Sequence, residues 1–315
     1  MRAALVSLLV FAACASFPRV STPSLLPPPG AEWLDAGSGQ RLFSTLSGPA
    51  DAGTTVWFVL GPEISSAPLY PSLTAALHEA GIATAVFHPR GAGYSDGLRG
   101  DTDDFEAVLA DYRRFLDELA RRAPGALFLF GHSAGAAFAL EAAATTSVPL
   151  AGVVLVNPAF KLKAGEGMTP SFGDYLVFAG NMVFRPAALT VDMNSRPDAI
   201  AFAPDRDEGR ALQADPLVVR YFSMRQLLAQ KQVMDRCADN AARVTAPLLL
   251  IEGAHDALVD PTGNVELLAR AKTRDKVRLV APDGGHGSSA VESMVSELME
   301  WITSRNQDLQ GRGRK

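Results

Sequence analysis

Ser133 is the residue of this 315-residue chain whose surroundings best fit a nucleophile. It lies in a Gly-His-Ser-Ala-Gly stretch, after an apolar run at 127–130 that favours a strand and before small residues that favour a helix. A serine hydroxyl is a weak nucleophile, so it needs an adjacent base and N–H donors for the oxyanion that forms. A sharp strand-to-helix turn would expose the hydroxyl and crowd the positions held by Gly131 and Gly135. The stretch therefore predicts a nucleophilic serine at the end of a buried strand.

His286 and Asp256 are the predicted catalytic partners of this serine. His286 stands in a glycine-rich loop after the last predicted strand, and Asp256 follows the preceding strand. The histidine would take the serine proton, while the aspartate would hold the imidazole in the correct tautomer. His255 is the rival base because it adjoins Asp256. Asp260 is the rival acid, although an Asp-Pro pair is typical of a helix start, where the aspartate caps the helix.

The helix that follows Ser133 would supply an oxyanion donor. N–H groups of a first helical turn have no intrahelical acceptor, and the helix dipole is positive at that end. Ala134 N–H is the natural donor on this ground. His132 is adjacent to the serine, but such a turn points neighbouring side chains apart. We therefore expect His132 in the wall of the substrate-binding pocket.

Alternating strands and helices predict the scaffold that holds these groups. A Gly-Ser-Gly turn predicts a hairpin over 31–46, and continuous apolar runs predict buried strands. These strands lie at 56–60, 82–87, 127–130, 153–156 and 247–253, and a further strand is expected at 276–280. The helices are expected at 70–80, 105–122, 265–271 and 290–302. Strands that alternate with helices indicate an α/β protein with a mostly parallel sheet flanked by helices.

The alternation stops at 159–242, where no buried-strand run occurs and prolines break helical patches at 175–184 and 216–237. An irregular insertion between two parts of one sheet predicts a helical lid over the site; a second independent domain is the alternative. Its apolar side chains would line an acyl pocket or simply pack on the core. They are Met168, Phe172, Phe178, Met182, Phe184 and Met193. We expect one α/β domain at 31–305, with the insertion at 159–242, and a tail at 306–315.

Composition excludes some classes of partner. The formal net charge of −5 leaves no basic surface of the kind that binds nucleic acid. The histidines lack metal-ligand spacing, so we expect neither a metal centre nor a cofactor. They are His78, His88, His132, His255 and His286.

The amino terminus has the layout of a secretory signal over 1–19: one positive charge, an apolar run at 3–13 and small residues at its end. The run is shorter than an ordinary membrane span. The Phe-Ala-Ala-Cys ending at Cys14 is similar to a bacterial lipobox, with Phe11 where leucine is usual. We therefore expect a cell-envelope lipoprotein anchored through Cys14, with a linker at 20–30. Simple cleavage with secretion and an uncleaved anchor are the alternatives.

Four motifs in order make 56–302 resemble the α/β-hydrolase superfamily, and most closely its monoglyceride-lipase and lysophospholipase-like branch, which overlaps in sequence with serine aminopeptidases. The motifs are the Arg-Gly-x-Gly-x-Ser loop within 88–97, the Gly-x-Ser-x-Gly at 131–135, the Asp-containing loop at 253–261 and the Gly-His pair at 285–286. The order serine, aspartate, histidine is that of α/β-hydrolases.

This resemblance implies the α/β-hydrolase fold and hydrolysis of carboxylic esters through an acyl-enzyme. The substrate would be a lipid ester such as a lysophospholipid or monoacylglycerol, or another small acyl ester. Serine aminopeptidase activity is the alternative within enzymes, because one scaffold hosts many chemistries. An acidic patch in the insertion that grips a free amino terminus would favour it, and the candidates are Asp205, Asp207 and Glu208.

One position departs from the branch. There, a His-Gly pair ends the strand before the first helix, and the next residue donates the second oxyanion N–H. Here Leu60 replaces the histidine, and Pro62 has no N–H to donate. Losing one such donor costs roughly a hundred- to a thousandfold in rate. Either Glu63 N–H serves instead, or the oxyanion hole is built differently, or the protein is a weakly active envelope lipoprotein that acts by binding.

Overall fold

The computed structural model describes residues 16–20, 25–37, 39–62, 70–123, 125–163, 172–193 and 205–312. Its strands are β1 (Ala31–Asp35), β2 (Arg41–Ser47), β3 (Thr54–Val59), β4 (Ala83–Phe87), β5 (Ala126–His132), β6 (Gly152–Val156), β7 (Leu189–Asp192), β8 (Tyr221–Ser223), β9 (Leu248–Gly253) and β10 (Lys276–Ala281). Its helices are α1 (Pro71–Glu79), α2 (Phe105–Arg122), α3 (Ala134–Thr145), α4 (Phe172–Phe184), α5 (Arg206–Ala214), α6 (Met224–Asp235), α7 (Cys237–Ala241), α8 (Pro261–Arg270), α9 (Ser289–Glu292) and α10 (Val295–Arg312).

Eight strands form one sheet in the order β1-β2-β4-β3-β5-β6-β9-β10. The β1–β2 and β2–β4 pairs are antiparallel, and every later pair is parallel. The predicted hairpin and the mostly parallel sheet are therefore confirmed. The carboxyl ends of the parallel strands meet at one edge, where an open α/β sheet positions its ligands.

Helices cover both faces of the sheet, because the parallel strands are apolar on both sides. On one face Trp57 and Leu129 pack with α2, α3 and the end of the insertion. On the other face Phe58 and Phe130 pack with α1, α9 and α10. The parallel strands β3, β4, β5, β6 and β9 are consequently buried along most of their length, as expected for a sheet covered on both faces. The edge strand β10 instead alternates exposed and half-buried residues.

Helix α2 begins and ends where its apolar periodicity predicts. Asp104 caps it, with its side chain accepting the Ala107 N–H at 2.9 Å. The apolar positions at three- and four-residue spacing are buried against the sheet, and most charged positions face outward. Asp111 is the buried exception and pairs with Arg90. This crossover helix fixes the spacing between β4 and β5, and so the entry of the chain into the strand before Ser133.

The insertion between β6 and β9 differs in detail from the predicted all-helical one. Its described part holds α4, α5, α6 and α7, together with an antiparallel pair formed by β7 and β8. The predicted helix at 216–237 is wrong at its start. Tyr221–Ser223 is a strand, and Ser223 then caps α6 by accepting the Gln226 N–H at 3.2 Å. Three-residue strands are too short to produce a recognisable apolar run.

The carboxyl-terminal region also differs from expectation. The predicted helix at 290–302 is two helices, α9 and α10, and α10 continues to Arg312. The predicted tail at 306–315 is therefore helical as far as Arg312. Among the described residues, no helix combines the length and apolar character that crossing a bilayer requires.

Candidate active site

Ser133 occupies a strained turn between β5 and α3. Its φ is 53°, a left-handed conformation that is costly for a residue with a side chain. Its N–H donates to the Val156 carbonyl at 2.9 Å, and its carbonyl accepts the Ala159 N–H at 3.1 Å. A Cβ at Gly131 would lie 2.5 Å from the Gly135 carbonyl oxygen, and one at Gly135 would lie 2.4 Å from the Val59 oxygen. Both glycines are thus required by close backbone approach, as the sequence predicts.

The structure brings Ser133, His286 and Asp256 together. His286 Nε2 lies 2.9 Å from Ser133 Oγ, and His286 Nδ1 lies 2.8 Å from Asp256 Oδ2. The other oxygen of Asp256 accepts two backbone N–H groups within its own loop, at 2.7 and 2.9 Å. Burial alone would raise the pKa of Asp256, but the hydrogen bonds from His286 and the loop outweigh burial and lower it. The aspartate is therefore an anion beside the imidazole.

His255 and Asp260, the alternative base and acid, lie outside this hydrogen-bonded group. His255 is exposed, and its backbone N–H donates to the Gly284 carbonyl. Asp260 caps α8 by accepting the Thr262 N–H at 2.9 Å, the role that its Asp-Pro context indicates. The geometry therefore joins His286 and Asp256 to Ser133 and leaves both rivals outside the hydrogen-bonded group.

Asn157 is a site residue that the sequence reasoning missed. It follows β6 at the same sheet edge, is fully buried and has a φ of 42°. Its amide donates to the carbonyls of Gly285 (2.9 Å) and His286 (3.2 Å), while its oxygen accepts the Gly253 N–H at 2.8 Å. Asn157 thus ties the loop after β10 to the end of β9. Its position directly after a buried strand is the signal that could have identified it.

His132 lines the cavity around Ser133, but both ring nitrogens already have partners. Nε2 bonds the His286 carbonyl, which can only accept, so Nε2 carries the proton. Nδ1 is then the acceptor for the Tyr70 hydroxyl at 2.6 Å. Burial, followed by repulsion from His286, lowers the pKa of His132 to about 4. A neutral His132 therefore supports the loop of His286 and offers the substrate a ring edge, not a charge.

Two acidic residues of the insertion hold the loop that follows His286. Asp205 accepts hydrogen bonds from Gly287 N–H at 2.9 Å and from both the N–H and hydroxyl of Ser289 at 3.0 Å. Glu208 accepts from the N–H and hydroxyl of Ser288 at 2.8 and 2.6 Å. Burial raises the pKa of Glu208 more than these bonds lower it.

These contacts correct the idea of a free acidic patch for an amino terminus. Both oxygens of Asp205 are engaged by the His286 loop, and Asp207 points to solvent with 95% of its side chain exposed. Glu208 alone of the three lines the cavity around Ser133.

The cavity beside Ser133 has a volume of about 80 Å³. Apolar walls come from β3, β5, α5 and Tyr70, which precedes α1, and polar walls come from the serine turn and the histidine loop. The lining side chains that surround the serine are Phe58, Leu60, Tyr70, Phe130, Glu208 and Leu212.

The apolar residues predicted for an acyl pocket have mixed placements. Phe178 and Met182 are half-buried on α4 and are not among the described side chains that line this cavity. Phe184 is 82% exposed and Met193 is 41% exposed. Met168 lies outside the described residues, and Phe172 is described only as the first backbone residue of α4. A substrate-binding role for these side chains stays a prediction.

The oxyanion side is built from α3 and the end of β3. Ala134 is the first residue of α3, and it lines the cavity together with Gly61. Glu63 lies outside the described residues, as does Cys14. Both assignments therefore stay predictions.

Comparison with known proteins agrees with this geometry. A family profile described as serine aminopeptidase, S33 (Hydrolase_4) matches residues 58–290. Human monoglyceride lipase is 26% identical over 301 residues, spanning 92% of this chain and 95% of the lipase. The monoacylglycerol lipase of Mycolicibacterium smegmatis is 26% identical over 71% of this chain and 79% of its own.

The fold of this chain is also similar to solved structures of monoacylglycerol and monoglyceride lipases. The crystal structure of Paleococcus ferrophilus monoacylglycerol lipase superposes with a TM-score of 0.68 at 26% identity, covering 84% of this chain and 99% of that one. A soluble variant of Saccharomyces cerevisiae monoglyceride lipase, in complex with a substrate analogue, has a TM-score of 0.73 at 17% identity, covering 91% and 98%. With its fold, its motifs and the match over 58–290, the chain belongs to the serine aminopeptidase S33 family of α/β-hydrolases, in its monoglyceride-lipase-like branch.

Proposed function

We propose that this hydrolase is a serine esterase that cleaves carboxylic esters of lipid-like substrates, such as monoacylglycerols or lysophospholipids, through an acyl-enzyme. The observation that carries the proposal is the hydrogen-bonded chain from Ser133 through His286 to Asp256, at 2.9 and 2.8 Å. Both distances are within the hydrogen-bonding range that a nucleophile, its base and the orienting acid require.

Acylation would begin with attack of Ser133 Oγ on the ester carbonyl carbon while His286 Nε2 takes the serine proton. Asp256 stabilises the imidazolium and stays ionised, which its lowered pKa supports. Collapse of the tetrahedral intermediate breaks the ester bond, and His286 gives its proton to the leaving alcohol oxygen. Water then attacks the acyl-enzyme, with His286 again acting as base, and the acid is released.

The oxyanion would be held by Ala134 N–H, at the positive end of α3. Glu63 N–H is the second donor in this proposal, because Pro62 has none. The glutamate side chain would turn to solvent, away from the developing negative charge.

Ester substrates are preferred to peptides in this proposal for two reasons. Relatives named as monoglyceride lipases match over nearly the whole chain. In addition, the acidic groups that would bind a free amino terminus are engaged by the His286 loop. The insertion at 159–242 would act as the lid, since α5 contributes Glu208 and Leu212 to the cavity around Ser133.

A kinetic panel tests the proposed activity. We expect p-nitrophenyl esters to be cleaved faster than aminoacyl anilides, and Ser133→Ala to remove the esterase activity. Ser147→Ala, which changes an exposed serine, is the control and should be fully active. Faster cleavage of the anilides, or esterase activity that survives in Ser133→Ala, would refute the proposal.

We further propose that the protein is a lipoprotein anchored in the cell envelope through Cys14. Phe17 stacks on Tyr221 with ring centroids 4.4 Å apart, and its N–H donates to the Leu189 carbonyl at 2.7 Å. A chain that begins at Cys14 keeps these contacts, as does a chain cleaved after Ala15, so they agree with the anchor and the lipobox-like sequence is what favours it over simple secretion. Cys14→Ser should move the protein from the membrane fraction to the soluble fraction; continued membrane retention would refute the anchor.

A further inference from the structure

A second cavity lies beside the one that contains Ser133. It is bounded by strands β2 and β4, by α1 and by Pro28 and Pro29 of the amino-terminal segment, and we call it the β2–β4 cavity. Its volume is about 370 Å³, against about 80 Å³ around Ser133. Pockets for small molecules typically have roughly 300–1,000 Å³. The space beside the serine is therefore too small for a lipid ester, while the neighbouring cavity is large enough for part of one.

Three side chains separate the two cavities and line both of them. They are Phe58, Leu60 and Tyr70, each less than 9% exposed. Phe58 lies near the end of β3, Leu60 directly follows that strand, and Tyr70 immediately precedes α1. A rotation of the Leu60 side chain, which follows the last residue of the strand, would join the two spaces into one apolar site.

The chemistry of ester cleavage determines which half of a substrate faces this wall. The leaving oxygen must lie within reach of His286 Nε2 to receive its proton. The alcohol half therefore lies toward His286, Gly287, Glu208 and Leu212, none of which lines the β2–β4 cavity. The acyl half points the other way, toward the end of β3, and so toward the shared wall.

Most polar groups of the β2–β4 cavity lie away from Ser133. Near the shared wall the lining is mainly aromatic and includes Phe43, Tyr94 and the buried imidazole of His88. At the opposite end Thr84 pairs across the strands with Ser47, and its hydroxyl lies 2.9 Å from His78 Nε2. From Leu60 to the level of Thr84 the sheet spans four residues, or about 13 Å at strand spacing. An apolar chain of limited length fits this space.

We propose that the β2–β4 cavity is the acyl-chain site of the enzyme and gives it a preference for medium-chain acyl groups such as octanoyl. This inference rests on the proposed esterase function, since it assigns the acyl half of that substrate. The chain enters past Leu60, lies along β2 and β4, and ends before the polar pairs at Ser47 and Thr84. Longer chains reach those polar groups and lose part of their apolar contact.

Val86→Phe tests the site, because Val86 lies in the middle of the cavity, opposite Thr45 and away from Ser133. Each buried methylene is worth roughly fourfold in binding. We therefore expect the ratio of kcat/KM for p-nitrophenyl octanoate to that for p-nitrophenyl acetate to fall at least tenfold. Acetate hydrolysis itself should stay within about twofold of wild type, which also reports that the variant folds. In the wild type, octanoate should be preferred to palmitate.

The matched control is Val148→Phe, which places the same substitution in a separate cavity of about 500 Å³. Among the described residues, this cavity shares no lining residue with either site. It should leave the octanoate-to-acetate ratio unchanged. An unchanged ratio in Val86→Phe, or an equal loss with both esters, would overturn the inference. The same change of ratio in Val148→Phe would do so as well.

A binding measurement separates this inference from the proposed function. Ser133→Ala protein is titrated with 1-monooctanoylglycerol by calorimetry, with and without Val86→Phe. Loss of binding with Val86→Phe supports the cavity even if the wild type cleaves no ester, in which case the proposed function alone fails. Equal binding in both proteins overturns the cavity even if wild type is an active esterase.

Discussion

The loop that carries His286 is held on one side by residues at the edge of the sheet and on the other side by residues of the insertion. On the sheet side, Asp256 bonds the imidazole and Asn157 bonds two carbonyls of the loop. On the insertion side, Asp205 accepts three hydrogen bonds and Glu208 accepts two, all from residues 287–289. On the sheet side Asp256 thus contacts the imidazole itself and Asn157 contacts the backbone that carries it, while carboxylates of the insertion contact the chain that follows.

This difference assigns separate roles to the two parts of the fold. The sheet edge supplies the groups that would exchange or stabilise charge, and a rigid sheet keeps them aligned. The insertion supplies acceptors that fix the backbone of the loop and also forms one wall of the substrate cavity. Substitutions on the sheet side should nearly abolish ester hydrolysis, and substitutions on the insertion side should only reduce its rate.

The largest effect is expected for Asp256→Asn on the sheet side. An amide can no longer hold the imidazole in the required tautomer or stabilise the imidazolium, so kcat for ester hydrolysis should fall by roughly 10⁴. KM should change little, because Asp256 faces His286 and not the cavity. Steady-state kinetics measure both constants. A loss below tenfold would mean that the Asp256 carboxylate is not the partner of the base.

An intermediate effect is expected for Asp205→Asn on the insertion side. The amide group cannot accept on both sides, so the bonds from Gly287 or Ser289 are lost and the His286 loop shifts. Misplacement of a catalytic group by about 1 Å costs on the order of a hundredfold, and we expect kcat to fall by roughly ten- to a hundredfold. Asp207→Asn is the matched control, since its side chain is 95% exposed. Equal activity of the two variants would remove Asp205 from the positioning of the base.

The smallest effect is expected for Glu208→Gln, and it depends on pH. Burial raises the pKa of this carboxyl above its ordinary value of 4.5, so the ionised form destabilises the folded state at neutral pH. The penalty is complete above the raised pKa and disappears as pH falls through it toward 4.5. Glu208→Gln should therefore unfold at a slightly higher temperature than wild type at pH 7, and the difference should shrink on acidification, while kcat falls only a few-fold. Thermal unfolding at several pH values measures this, and a difference that grows in acid would contradict it.

The catalytic centre was largely predictable from sequence because each of its groups is tied to a local pattern. Ser133 lies between glycines that the turn demands. Asp256 follows the buried strand β9 and His286 follows the edge strand β10, and the ends of these parallel strands must reach the same sheet edge. Most of the strands are recognisable in the sequence because a parallel strand that is buried on both faces is apolar at nearly every position.

The supports of the centre were not predictable in the same way. Asp205 and Glu208 lie in an insertion without apolar periodicity, and their partners are backbone N–H groups some 80 residues away. Nothing local distinguishes a carboxylate that accepts such bonds from one that faces solvent, as Asp207 does on the same helix. The proposed acyl-chain site was equally hard to predict from the sequence. The β2–β4 cavity forms only where two strands, α1 and the amino-terminal segment meet in the fold.

Formation of a covalent intermediate on Ser133 tests the central claim most directly. The purified protein is treated with an alkyl fluorophosphonate, digested, and analysed by tandem mass spectrometry to locate the adduct. We predict stoichiometric phosphonylation of Ser133, with labelling greatly slowed in Asp256→Asn and absent at that position in Ser133→Ala. Folded wild-type protein that stays unlabelled, or carries the adduct on another residue, would contradict the assignment of Ser133 as the nucleophile.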